Sequence, residues 1–147
     1  MSDQPVFSKS FEVRWADLDA NRHLRNTAYL DYATHVRFAF LAANGFPASR
    51  FGELHFGPVI LREEMTFLRE VGPNDELTVD YRLAAQSADR RKFRLRHRFF
   101  RRDGVEAARI DTVGGWMDLA TRKLRPPPAE LAAALDQLAR TEDFETF

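Results

Sequence analysis

The residues with most capacity for chemistry crowd into one stretch, Trp15 to Tyr29. It contains Asp17, Asp19, Asn21, His23, Asn26 and Tyr29 within fifteen positions. A carboxylate can attack a carbonyl carbon, or activate a water that does. A histidine and an asparagine nearby can orient groups or polarise the carbonyl. The stretch falls between a strand end and a helix start, where unpaired backbone N–H groups can bind a phosphate, a carboxylate or a developing oxyanion. Thioester hydrolysis needs these parts and no metal. Aspartate and asparagine also precede helices simply because they cap them and favour turns. Asp17 is the weaker of the two aspartates and fits a plain turn residue, and His23 fits an exposed loop.

The flanking elements must position that stretch. Val6 to Trp15 reads as a first strand, with Phe11, Val13 and Trp15 alternating with Glu12 and Arg14. A helix is expected over about Thr27 to Asn44. Tyr29, Tyr32, Ala33, Val36 and Phe40 share one of its faces, Asn26 or Thr27 can cap it, and Gly45 can end it. Four strand-like runs follow: Val59 to Phe67, Leu77 to Leu83, Phe93 to Phe99 and Val105 to Leu119. Asp103-Gly104 supplies a tight hairpin turn, and Gly114-Gly115 suggests a bulge or a close backbone approach. After Pro126 to Pro128, a last helix is expected over about Ala129 to Arg140. Short turns imply antiparallel pairing, so the class is α+β, one long amphipathic helix beside an antiparallel sheet.

The chain has 147 residues, the size of one ordinary domain spanning 1–147. Lys plus Arg and Asp plus Glu balance at 22 each, so the net charge gives no reason to expect nucleic acid as partner. With no cysteine, thiol nucleophiles, disulfides and thiolate metal sites are excluded. Met1 to Phe11 lacks the apolar run of a signal peptide, and no stretch is long and apolar enough to span a membrane. The expectation is a cytoplasmic protein.

The Trp15–Tyr29 stretch resembles the signature of hotdog-fold thioesterases, in particular the 4-hydroxybenzoyl-CoA thioesterase and acyl-acyl-carrier-protein thioesterase branches. Those families close the first strand with an Asp-x-Asp pair, here Asp17-Leu18-Asp19, and follow it with a loop and a long helix bearing an early tyrosine, here Tyr29. The resemblance makes Asp19 the catalytic carboxylate. The carrier-protein branch is matched further by Asp19, Asn21, His23 and Asn26, and by Glu70 within Phe67-Leu68-Arg69-Glu70-Val71 as an assisting glutamate. Bacterial members often carry a glycine where Arg22 stands. The resemblance implies a hotdog fold, hydrolysis of an acyl-CoA or acyl-carrier-protein thioester without cofactor, a homodimer or homotetramer, and acyl chains held at the subunit interface. Tyr29 would shape the pocket.

Other groups in the chain have competing readings. Glu63 shares a strand face with Leu61, Met65 and Phe67, where an isolated carboxylate is costly to bury, which fits a subunit edge. Glu70 also fits an ordinary polar residue before a turn. The row Lys92, Arg94, Arg96 and Arg98 forms one basic strand face that Glu76 and Asp80 can neutralise. Arg90, Arg91 and Lys92 are better placed to touch the phosphates of coenzyme A. A metal site made from Asp17, Asp19 and His23 is weakly supported, because metal ligands normally converge from several regular elements. An enoyl-CoA hydratase on the same fold is disfavoured by the four-residue spacing of Asp19 and His23 without an intervening proline. A non-catalytic acyl-CoA binding protein would keep the pocket and have no need of Asp19.

Overall fold

The computed structural model describes residues 4–147. The elements are β1 (Phe7–Glu12), a 3-10 turn (Trp15–Asp17), α1 (Asn26–Ala43), α2 (Ser49–Leu54), β2 (Phe56–Phe67), β3 (Glu76–Gln86), β4 (Lys92–Phe100), β5 (Glu106–Asp118), β6 (Lys123–Leu124), α3 (Ala129–Leu135) and β7 (Arg140–Thr146). The sheet order is β1-β3-β4-β5-β2; β6 pairs with β5, and β7 runs parallel to β3. All the other ladders are antiparallel. Phe93, Leu95, His97 and Phe99 of β4 face inward and are buried, as their alternation predicts. Phe93, Leu95 and Phe99 pack with Tyr29, Tyr32, Val36 and Phe40 of α1 in one core. This is the α+β hotdog arrangement, a curled antiparallel sheet against one long helix.

Gly45 ends α1 in the left-handed conformation at φ 85°, and the Phe46 N–H returns to the Leu41 carbonyl at 2.8 Å. Gly114 is required by close approach: a Cβ there would lie 2.4 Å from the Val59 carbonyl oxygen. The bulge itself sits opposite, on β2 between Ile60 and Arg62. Among the described residues, no helix is long and apolar enough to cross a membrane.

Several expectations are corrected. The first strand stops at Glu12; the chain then tightens into the 3-10 turn, which leaves Trp15 84 % exposed. Asn26 is the first residue of α1, with Arg25 at the cap position and no side-chain cap. The last helix ends at Leu135, and the polar run after it becomes β7. The basic face of β4 is neutralised chiefly by later strands, not by Glu76: Arg96 meets Asp111 at 2.8 Å and Asp143 at 3.0 Å, Arg94 meets Glu145 at 3.1 Å, and Arg98 pairs with Glu106. Asp80 accepts from the Arg98 main-chain N–H at 2.7 Å.

Candidate active site

The loop from Asp17 to Arg25 is held at both ends. The Arg25 N–H donates to the Asp17 carbonyl (2.8 Å), and the Leu24 N–H donates to the Val71 carbonyl (2.7 Å). Leu18 bridges Leu24, and the tip closes with the Asp19 N–H on the His23 carbonyl (2.8 Å) and the Arg22 N–H on the Asp19 carbonyl (3.0 Å). That closure puts Arg22 at φ 61°, the left-handed region where glycine is more comfortable.

Asp17 is the anchor of the loop and not a plain turn residue. It is 1 % exposed, yet its carboxylate is fully occupied. It accepts from Arg14 Nε (3.0 Å) and an Arg14 terminal nitrogen (3.1 Å), from Arg25 (3.3 Å) and from the Tyr32 hydroxyl (2.8 Å). Hydrogen bonding from Arg14 holds this carboxyl below the usual carboxylate range, against the opposing effect of burial, and Tyr32 helps. Four hydrogen bonds from three residues therefore join the segment after β1, the loop and α1. No sequence signal marks this: the pairing with Arg14 is set by a 3-10 turn of only three residues, and the fifteen positions to Tyr32 span the whole loop.

Asp19 is treated differently. It is exposed, and only its Oδ1 is engaged, by the main-chain N–H groups of Asn21 (2.8 Å) and His23 (3.0 Å). These bonds fix the rotamer and leave Oδ2 free to meet a ligand. Asp19, His23, Asn26 and Tyr29 form one wall of a groove of about 400 Å³, and Phe67 and Glu70 stand opposite. The N–H groups of Asn26 and Thr27 lie in the first turn of α1, where no intrahelical acceptor is available to them. Tyr29 is buried beside the rings of Phe67 (5.5 Å) and Phe99 (5.2 Å). Burial, with the charge of Asp19 adding to it, raises its hydroxyl to about 12, so it stays protonated.

Five of the residues singled out from sequence, Asp19, His23, Asn26, Tyr29 and Glu70, thus border one groove. Asn21 contributes its main chain to Asp19 and does not border it. Arg90, Arg91 and Lys92 lie at the opposite end of β4 from the Phe99–Phe100 end that adjoins the groove. There Arg90 pairs with Asp136 (2.9 Å) and Arg91 with Asp89 (2.6 Å). Glu63 stays exposed on β2, with Oε2 3.4 Å from the Thr112 hydroxyl.

No curated protein matches the sequence. Among solved structures, a Staphylococcus aureus protein in complex with CoA superposes with a TM-score of 0.83 at 19 % identity, over 96 % of this chain and 90 % of that one. A 1,4-dihydroxy-2-naphthoyl-CoA thioesterase from Synechocystis gives 0.80 at 17 % identity, over 89 % and 96 %. The probable thioesterase YbaW of Escherichia coli gives 0.74 at 21 % identity, over 91 % and 99 %. At these identities the likeness is one of fold. The family model of the thioesterase-like superfamily spans residues 13–135, which takes in the Asp17–Arg25 loop, α1 and strands β2 to β6, and the chain belongs to that superfamily.

Proposed function

We propose that this protein is a thioesterase that hydrolyses acyl-CoA, or a related acyl-carrier thioester, to the free acid and the thiol. The observation that carries the reading is Asp19: one carboxylate oxygen tied down by two amides, the other open to a groove at the start of α1. A thioester carbonyl placed against the Asn26 and Thr27 amides would find donors aimed where negative charge develops. Asp19 would then attack the carbonyl carbon, or take a proton from the water that does. The Tyr29 hydroxyl, protonated at neutral pH, would present a donor in the groove wall. Incubating the purified protein with a panel of acyl-CoAs and a thiol-trapping dye tests the reading. Release of CoA that disappears in Asp19→Asn is expected; no release across aliphatic and aromatic acyl groups would defeat it and favour a binding protein.

The active form in this reading is a dimer, or a tetramer built from such dimers. Among the described residues β2 pairs only with β5 and leaves one long edge open; Leu61 on it is 60 % exposed, and Ile60 and Phe67 are exposed too. An open apolar edge is a liability for a monomer. Antiparallel pairing with β2 of a second copy would set that copy's Val59 end beside Phe67. Val59, Gly115 and Lys92 lie in register across the sheet. The second copy's Arg91 and Lys92 would therefore approach the groove, where CoA phosphates need cations. Light scattering should give a dimer or tetramer at micromolar concentration, and a monomer would refute this arrangement.

A further inference from the structure

The inner face of the sheet changes character away from the groove. Beside it stand Phe67, Phe99 and Tyr29. One to two rows further along the strands, about 7–13 Å by strand rise, polar groups stand among Met65, Ile110 and Leu95: His97, Thr112, Glu63 and, from α1, Arg37. His97 is fully buried and stacks on Tyr81 at 4.9 Å with the rings parallel, yet neither ring nitrogen has a partner among the described residues. One terminal nitrogen of Arg37 donates to Thr34 (3.0 Å), while the other is buried without an acceptor. Thr112 is fully buried, and its hydroxyl makes a long contact (3.4 Å) to Glu63, which remains open on the β2 side. Buried polar groups are nearly always satisfied, so two orphans in one patch need an explanation.

The chemistry of the orphans narrows what would satisfy them. Burial, and Arg37 after it, keep His97 neutral, so its ring offers one donor and one acceptor. Arg37 offers a donor, and Glu63 offers an acceptor and a negative charge. A methyl terminus would leave His97 and the free Arg37 nitrogen unmet. A carboxylate would suit Arg37 but stand against Glu63. A hydroxyl can accept from Arg37 and donate to His97 or Glu63.

Resting on the hydrolase reading above, we infer that the acyl pocket runs from Asp19 along the inner face of β2 to Arg37, His97 and Glu63, and that it selects medium-length acyl groups carrying a hydroxyl near the far end. The test compares ω-hydroxydecanoyl-CoA, decanoyl-CoA and decanedioyl-CoA in the same CoA-release assay. The hydroxyacyl ester should be favoured over the plain one by at least about tenfold in kcat/KM, as expected where a site's polar groups would otherwise go unpaired. In Arg37→Met and in Glu63→Gln, the latter at an exposed position that folding tolerates, the ratio should fall toward one. Equal rates for the hydroxylated and plain esters in the wild type, or preference for the dicarboxylic ester, would overturn the inference and leave hydrolysis standing. Failure to release CoA from any acyl-CoA would overturn both.

Discussion

Asp17 and Asp19 stand two residues apart in one loop, and their surroundings assign them opposite tasks. Asp17 is sealed from solvent, and both of its oxygens are taken by Arg14, Arg25 and Tyr32. Asp19 is in solvent, is held by two main-chain amides on one oxygen, and lines a groove with the other side of its carboxylate open. A carboxylate whose lone pairs are all engaged serves as a fastener, whereas one held by half its capacity is oriented and still reactive. The half of the loop that carries Asp17 therefore sets the position of the half that carries Asp19. The Leu24 amide on Val71 and the Arg25 amide on the Asp17 carbonyl transmit that position.

Removing the Asp19 charge should give the largest functional loss. Asp19→Asn should lower kcat at least about 100-fold, the scale of a positioned acid–base group. The melting temperature should stay nearly constant, because an exposed side chain with two main-chain contacts adds little to packing. Near wild-type turnover would erase the distinction drawn between the two aspartates.

Asp17→Asn should do the reverse. It leaves Arg25 and Tyr32 with a poorer acceptor in a sealed site. The cost should be about 2 kcal/mol of stability, kept below the usual figure for a broken buried pair because Arg14 is largely exposed. Denaturant titration measures it. The pH dependence has a definite sign. The Asp17 carboxyl lies below its unfolded value, so its contribution is complete above about pH 4 and is lost as pH falls through the lower, folded value. Stability curves of wild type and Asp17→Asn should therefore converge in acid; curves that remain parallel would show that the carboxylate's charge is not what matters.

His23 tests how tightly the reactive half is coupled. The resemblance to the carrier-protein branch favours a shared Asp19–His23 network. In the structure the two are joined through the main chain, the His23 N–H on Oδ1 and the Asp19 N–H on the His23 carbonyl, and both bonds survive replacement of the ring. His23→Ala should then cost about tenfold in kcat/KM, near 1.4 kcal/mol, and add to the Asp19→Asn loss. A loss as large as that of Asp19→Asn, with no further loss in the double variant, would mean that the imidazole and the carboxylate act as one unit.

Periodicity made the long helix and the strand cores legible. Phe93, Leu95, His97 and Phe99 alternate without interruption, and the α1 face repeats every three to four residues. The reactive loop was legible by residue type. Features set by long-range pairing were not. The Arg140–Thr146 run is polar apart from Phe144 and looks like a tail, yet it is a strand because β3 offers a free edge and Arg94 and Arg96 await its acids. Trp15 alternates with a buried Val13 in sequence but is turned outward by the 3-10 turn. Asp17 hides its partners eight and fifteen positions downstream, a separation that no local pattern encodes.

Arg22 gives the smallest expected effect and bears on the reactive half alone. It closes the turn that aims Asp19, and it does so at φ 61°, in a conformation that costs a side-chain-bearing residue roughly 1–2 kcal/mol. Glycine would remove that cost. It would also loosen the unfolded chain, which returns about 0.5–1 kcal/mol to the unfolded state. The net gain for Arg22→Gly should be below about 1 kcal/mol. The hydrogen bonds of the turn come from main-chain groups and from Asp19 itself, so all of them persist. If Asp19 is aimed by those bonds, as the geometry requires, kcat should change by less than about threefold while the midpoint of thermal unfolding rises slightly. A fall in kcat comparable to that of Asp19→Asn, at unchanged or higher stability, would instead place the Arg22 guanidinium among the groups that meet the substrate. The reactive half of the loop would then extend beyond the groove wall defined by Asp19, His23 and Asn26.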